Sequence, residues 1–137
     1  MDTDLSLERE AKLLAPLVLA YIGDAVYEVY VRNRIIKEHP DMPVHKLHKA
    51  AIKYVRAHGQ SEAMTVLEEE LSDEELSVYK RGRNTKSATV PKNADVTEYR
   101  RATGFEALIG FLYKAEHSER LEELMEKAFN TLKNSDK

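Results

Sequence analysis

Leu13-Leu14-Ala15-Pro16-Leu17-Val18-Leu19-Ala20-Tyr21-Ile22-Gly23-Asp24-Ala25-Val26-Tyr27-Glu28-Val29 is the stretch on which the fold turns. Leu13, Leu17, Ala20, Tyr21, Asp24, Ala25, Glu28 and Val29 recur at spacings of three and four, the period of one helix face. Pro16 suits a first helical turn, where its missing N–H has no bond to lose. Gly23 and Asp24 break the apolar run. A glycine inside a helix costs about 1 kcal/mol relative to alanine, so it tends to mark a place where another backbone comes close. A carboxylate among apolar neighbours is costly unless it is paired or holds a metal.

The same anomaly recurs at Gly104-Phe105-Glu106-Ala107-Leu108-Ile109-Gly110, a glutamate between two glycines in an apolar run. Two such helices are expected to cross closely, with Asp24 and Glu106 meeting at the crossing. The spacing leaves a second reading open, in which each acid pairs with an arginine such as Arg32, Arg100 or Arg101.

Outward from these two segments the periodicity stays helical. Pro40 and Pro43 interrupt it; Val44, Leu47, Ala51, Tyr54 and Val55 then form a second stripe, with Gly59 as its C-terminal cap. Ser61 opens a short helix to about Glu70, and Ser72-Asp73-Glu74-Glu75 has the form of a capping box for another through Lys80. Arg81–Asp95, with Gly82, Asn84, Pro91 and Asn93, is expected as a long loop. Asp95 or Thr97 starts a helix to about Glu116, and Ser118 a last one to about Leu132. No segment alternates with period two. The expectation is an all-α fold of about six or seven helices, one domain over residues 1–137.

Cysteine is absent, which excludes disulfide frameworks, thiolate metal sites and cysteine nucleophiles. Apolar runs such as Leu13–Ile22 are half the roughly 20 residues a membrane span needs, so no membrane partner is expected. The acidic start, Met1-Asp2-Thr3-Asp4, is unlike a signal peptide, and the expected location is the cytoplasm. The net charge is −3, but the charges are segregated. Met42 to Ser61 holds Lys46, Lys49, Lys53, Arg56 and three histidines without an acid; Glu62 to Glu75 holds seven acids without a base. Lys80 to Arg101 returns to seven bases against Asp95 and Glu98. Local fields decide where a polyanion lands, so two basic blocks are compatible with a nucleic-acid surface and equally with solvated helix faces.

Tyr21-Ile22-Gly23-Asp24-Ala25-Val26 is similar to the signature helix of the ribonuclease III family, and Phe105-Glu106-Ala107-Leu108-Ile109-Gly110 resembles that family's second signature. Val78-Tyr79-Lys80-Arg81-Gly82-Arg83-Asn84 resembles its basic segment, in the expected order between them. The compact layout and Ala102-Thr103-Gly104-Phe105-Glu106 look like the Mini-ribonuclease III branch. The resemblance implies a homodimeric, Mg²⁺-dependent endoribonuclease, with Mn²⁺ as a substitute ion. It acts on double-stranded RNA and matures the paired ends of precursor 23S ribosomal RNA, with a ribosomal protein as a helper. It assigns Asp24 and Glu106 as catalytic and metal-binding, with Thr103 as a further contact through water. RNA contacts are then expected from Lys80, Arg81, Arg83, Asn84, Thr85, Lys86 and Lys92, extended by Lys46, Lys49 and Lys53. The sequence departs from the wider family at Leu17, Ala20 and Thr103, where acids are usual, and offers only Asp41 for another. Tyr27, Tyr30 and Val31 are candidates for a dimer interface or for core.

Two other readings are weighed. Loss of those acids would suit a non-catalytic RNA-binding scaffold of the same fold. Glu122-Glu123-Leu124-Met125-Glu126 has the form that all-helical nucleoside-triphosphate pyrophosphohydrolases use for Mg²⁺, but only Asp136 follows as a partner acid. His45 and His48 share a helix face without a nearby third zinc ligand.

Overall fold

The computed structural model of the chain describes residues 2–86 and 90–135. Seven α-helices and one 3-10 turn account for its regular structure, and no strand occurs among the described residues. They are α1 (Asp2–Leu13), α2 (Pro16–Glu38), α3 (Val44–Val55), α4 (Ala57–Leu67), the 3-10 turn Glu68–Glu70, α5 (Asp73–Asn84), α6 (Val96–Lys114) and α7 (Ser118–Asn134). No single helix among the described residues is long and apolar enough to cross a membrane.

The centre of the molecule is α6. From Ala102 to Leu112 every residue except Glu106 is buried, the pattern of a helix covered on all sides. Helix α2 packs along it most extensively, with α5, α4 and α7 completing the cover. Tyr27 meets the Phe105 ring edge-on at 4.9 Å, and Tyr54 stacks on Phe129 at 4.0 Å. Tyr27 and Val31 therefore belong to the core, and Tyr30 is half-buried against Phe129.

Pro16 does more than start a helix. Ala15 before it is extended, as the residue ahead of a proline tends to be, and α1 leaves α2 at 111°. Helix α1, which the periodicity does not reveal, is tied to α5 by the ion pair from Lys12 to Glu74, while Lys12 also pairs with Glu8 one turn back along α1. The capping box forms as expected: Ser72 Oγ accepts from the Glu75 N–H, and Glu75 Oε1 accepts from the Ser72 N–H. Burial alone would raise the Glu75 carboxyl, but Arg120 and Ser72 hold it below its ordinary range.

Three boundaries differ from the sequence expectation: the end of α3, the start of α4, which is Ala57 rather than Ser61, and the end of α5. Gly59 does not cap α3; α3 ends at Val55, and Gly59 lies in the first turn of α4. A Cβ on Gly59 would stand 2.1 Å from the Lys53 carbonyl oxygen, so the glycine serves a close approach rather than a left-handed turn. Arg81–Asn84 is not loop but the last turn of α5, because Gly82 packs on Gly104 and Ala107 of α6 and keeps the helix going. Of the expected loop, residues 87–89 lie outside the described residues, as does Asp136. Helix α7 begins at Ser118, with His117 in the capping position.

Candidate active site

Gly23 and Gly110 set the distance between α2 and α6. A Cβ on Gly23 would lie 1.8 Å from the Glu106 carbonyl oxygen, and one on Gly110 would lie 1.9 Å from the Leu19 carbonyl oxygen. The two backbones touch at both points, which only glycine allows. Asp24 and Glu106 sit beside this seam and their carboxyl groups are within hydrogen-bonding reach of one another.

Their surroundings differ. Asp24 is exposed on α2, whereas Glu106 is the one incompletely covered residue of the central α6 run. Burial, and then the neighbouring Asp24 charge, push the Glu106 carboxyl from an ordinary 4.5 up to about 8. Two carboxylates this close hold a proton between them until a cation replaces it. No arginine acts on Glu106. Arg32 instead pairs with Glu28 at 3.1 Å, and Arg101 donates to Ser61 at 3.0 and 3.1 Å and faces Glu68. Among the described residues, then, Glu106 is not paired with an arginine, and Arg32 and Arg101 are engaged elsewhere.

Thr103 lies one turn before Glu106, buried, with its hydroxyl donated to the Tyr99 carbonyl at 3.0 Å. Among the described residues no group of three or more His, Cys, Asp or Glu side chains gathers to hold a metal, and Asp41 is not part of the pair's surroundings. The residue sequence reasoning missed is Gln60, whose Nε2 donates to Glu106 Oε2 at 3.3 Å and to the Val55 carbonyl at 3.1 Å. The signal for it was available. Gln60 heads the stripe Ala63, Met64 and Leu67, so it is a polar residue in a core register, as Glu106 is.

The basic residues divide into two groups. Lys46, Lys49, Lys80, Lys86 and Lys92 are exposed. Arg81 donates to the Lys12 carbonyl at 3.5 Å, and the Arg83 guanidinium lies 5.6 Å from the Tyr79 ring while its Nε donates to Asn84 at 3.1 Å. Thr85 donates to the Arg81 carbonyl at 2.6 Å, and Lys53 sits over the Tyr54 ring at 5.1 Å. Glu122, Glu123 and Glu126 lie on the exposed face of α7, where Glu123 takes a bond from Arg120 at 2.9 Å. His45 and His48 are exposed on α3.

The Ribonuclease III domain family model matches residues 17–116, a span that contains both acids of the crossing. A Mini-ribonuclease 3 of Clostridium tetani is 49% identical over 128 residues, covering 93% of this chain and 85% of that one. A Mini-ribonuclease 3 of Staphylococcus aureus is 46% identical over 126 residues, covering 90% and 93%. The crystal structure of protein FN1578 from Fusobacterium nucleatum superposes with a TM-score of 0.77 at 28% identity, over 86% of this chain and 93% of that one. With the crossing acids inside the matched domain and relatives at this identity along nearly the whole length, the chain belongs to the ribonuclease III family, in its Mini-ribonuclease 3 branch, and is an endoribonuclease.

Proposed function

We propose that this endoribonuclease hydrolyses phosphodiesters of double-stranded RNA with Mg²⁺ bound at Asp24 and Glu106, and that it matures the paired ends of precursor 23S ribosomal RNA as a homodimer. The observation that carries this reading is the meeting of Asp24 and Glu106 at the Gly23 seam, where burial and the neighbouring Asp24 charge make an uncompensated Glu106 carboxylate costly. The donor set fits the ion. Mg²⁺ takes hard oxygen ligands, needs only one or two carboxylates and keeps several waters, and Mn²⁺ suits the same oxygens. When bound, it supplies a lowered pKa for the attacking water and neutralises charge on the phosphoryl oxygens.

The chain's own residues supply the rest. Exposed Asp24 opens the site to solvent, where an RNA backbone phosphate can approach. Glu106 anchors the inner side and gives up its proton on loading. Thr103, one turn away, keeps lone pairs on its hydroxyl oxygen for a water contact. Lys46, Lys49, Lys80, Lys86 and Lys92 present charge to the duplex, which is recognised by its shape through phosphates and 2′-hydroxyls. Arg81, Arg83, Asn84, Thr85 and Lys53 join that surface from helix ends already ordered by their own contacts. Products carry 5′-phosphate and 3′-hydroxyl ends, and the cytoplasm is the compartment this reading requires.

Asp24→Asn keeps the shape of the crossing and removes one negative charge from the pair. Cleavage of a defined RNA duplex in Mg²⁺ is expected to fall to background, as it does for wild type in chelator, while gel-shift binding and circular dichroism stay as in wild type. Turnover by Asp24→Asn at the wild-type rate rules the assignment out. Precursor 23S RNA, offered with and without ribosomal proteins, tests the natural substrate in the same assay.

A further inference from the structure

Gln60 is 1% exposed, as deeply covered as the leucines around it. Its Nε2 faces two acceptors, the Val55 carbonyl and Glu106 Oε2, and this decides which end of the amide points which way. The carbonyl end, Oε1, is therefore turned from both, buried and without a hydrogen-bond partner among the described residues. Buried polar atoms left in that condition are rare, and each calls for a cause.

Packing does not supply one. Ala63, Met64 and Leu67 continue the stripe that Gln60 heads, all at 0% exposure, so an apolar side chain would fill the position without an orphaned oxygen. The amide has a use only toward the acids. Its N–H₂ ties the Glu106 carboxylate on α6 to the Val55 carbonyl at the end of α3, fixing the carboxylate's orientation beside Asp24. Arg101, reaching from α6 to Ser61 next along α4, clamps the same two helices.

We propose that Gln60 is a positioning residue of the acidic pair: its amide nitrogen fixes the Glu106 carboxylate, and its orphaned carbonyl oxygen is held in turn by a buried water molecule. This rests on the reading of Asp24 and Glu106 as a cation-binding pair. Residues that orient a ligating carboxylate typically change metal affinity or activity about 10–100-fold when replaced.

Gln60→Met keeps the length of the side chain and removes both donor and acceptor. In Mn²⁺ titrations of the RNA-free protein, followed by calorimetry, it is expected to bind about 10–100-fold more weakly than wild type. On a defined RNA duplex kcat falls by a similar factor while KM stays within about twofold. The melting temperature in chelator stays close to that of wild type, because methionine refills the buried position with a side chain of similar volume. Unchanged Mn²⁺ affinity with unchanged kcat overturns the proposal, and so does a loss that follows a lowered melting temperature instead of cation affinity. If Gln60→Met does not fold, a wild-type crystal grown with Mn²⁺ decides: a water on Oε1 supports the proposal, and a dry or swung-away Oε1 overturns it. A wild type that fails to cleave duplex RNA yet loses Mn²⁺ affinity through Gln60→Met refutes the nuclease reading and leaves the proposal standing.

Discussion

Glu106 retains its proton up to about 8, where a solvated glutamate is already ionised above its ordinary 4.5. Between those values the folded chain binds one more proton than the unfolded chain, so stability falls as pH rises through the window. In the absence of divalent cations the melting temperature is therefore expected to drop between about pH 5 and about pH 8 and to level off above that. Glu106→Gln imitates the protonated side chain, offering a donor to Asp24 and an acceptor to Gln60. It should flatten the pH dependence and exceed wild-type stability at about pH 9 by a few kcal/mol at most, by calorimetry. A wild-type melting curve indifferent to pH over that range contradicts the shared-proton account. Asp24 and Glu106 were legible in the sequence because a charge beside a glycine inside an apolar run violates the cost of burial. Gln60 carries the same violation in weaker form, and reading Gly59 as a helix end placed it outside any helix and hid its register.

At the scale of elements, the α2–α6 seam is held by contact between main chains. The nearest atoms to a Cβ on Gly23 are Glu106 O at 1.8 Å and Gly110 N at 2.7 Å, both backbone, so no rotamer change relieves the clash. Gly23→Ala is expected to lose on the order of 3 kcal/mol or more in chemical denaturation, at the upper end of overpacking costs. It should also lower kcat, because the displaced segment carries Glu106. Gly82→Ala is the comparison: a Cβ there meets the Ala107 Cβ first, at 2.7 Å, a milder overlap than the 1.8 Å at Gly23. Equal losses in the two variants would show that the seam is softer than its geometry implies. Helices with strong periodicity and a capping signal, such as α3 and α5, were legible at their starts. Their ends were not, since Gly59 and Gly82 look like terminators in sequence and act as contact points in space. Helix α6 ends at Lys114, and Glu116 beyond it takes φ 57 in the left-handed region that usually falls to glycine, with the His117 N–H reaching the Leu112 carbonyl.

For the molecule as a whole, the stripe that the periodicity picks out around α2 is mostly the outer one: Leu13, Leu17, Tyr21, Asp24, Ala25 and Val29 are exposed, and the buried face is Leu19, Ala20, Gly23, Tyr27, Val31 and Ile35. The fold makes that division: Tyr27 and Val31 go inward, while Tyr21 is 83% exposed and Val29, Val18 and Leu17 lie on the same outer face. Asp24 stands at the edge of this face, so a surface laid against it would border the acidic pair. One site per chain cuts one strand, and a duplex has two strands related by a two-fold axis. A second copy of the chain, seated on the outer face of α2, answers both the exposed apolar strip and the symmetry of the substrate. Tyr21→Arg places an uncompensated charge in the middle of such a contact. Replacing a central aromatic anchor costs about 2 kcal/mol or more, roughly thirtyfold in dissociation constant. Analytical ultracentrifugation at micromolar concentration is expected to show wild type at twice the chain mass and Tyr21→Arg shifted toward the single chain. Its cleavage of a labelled duplex should shift from cutting both strands to nicking one. A wild type that sediments as a single chain while cutting both strands at once would break the link between the apolar strip and the duplex.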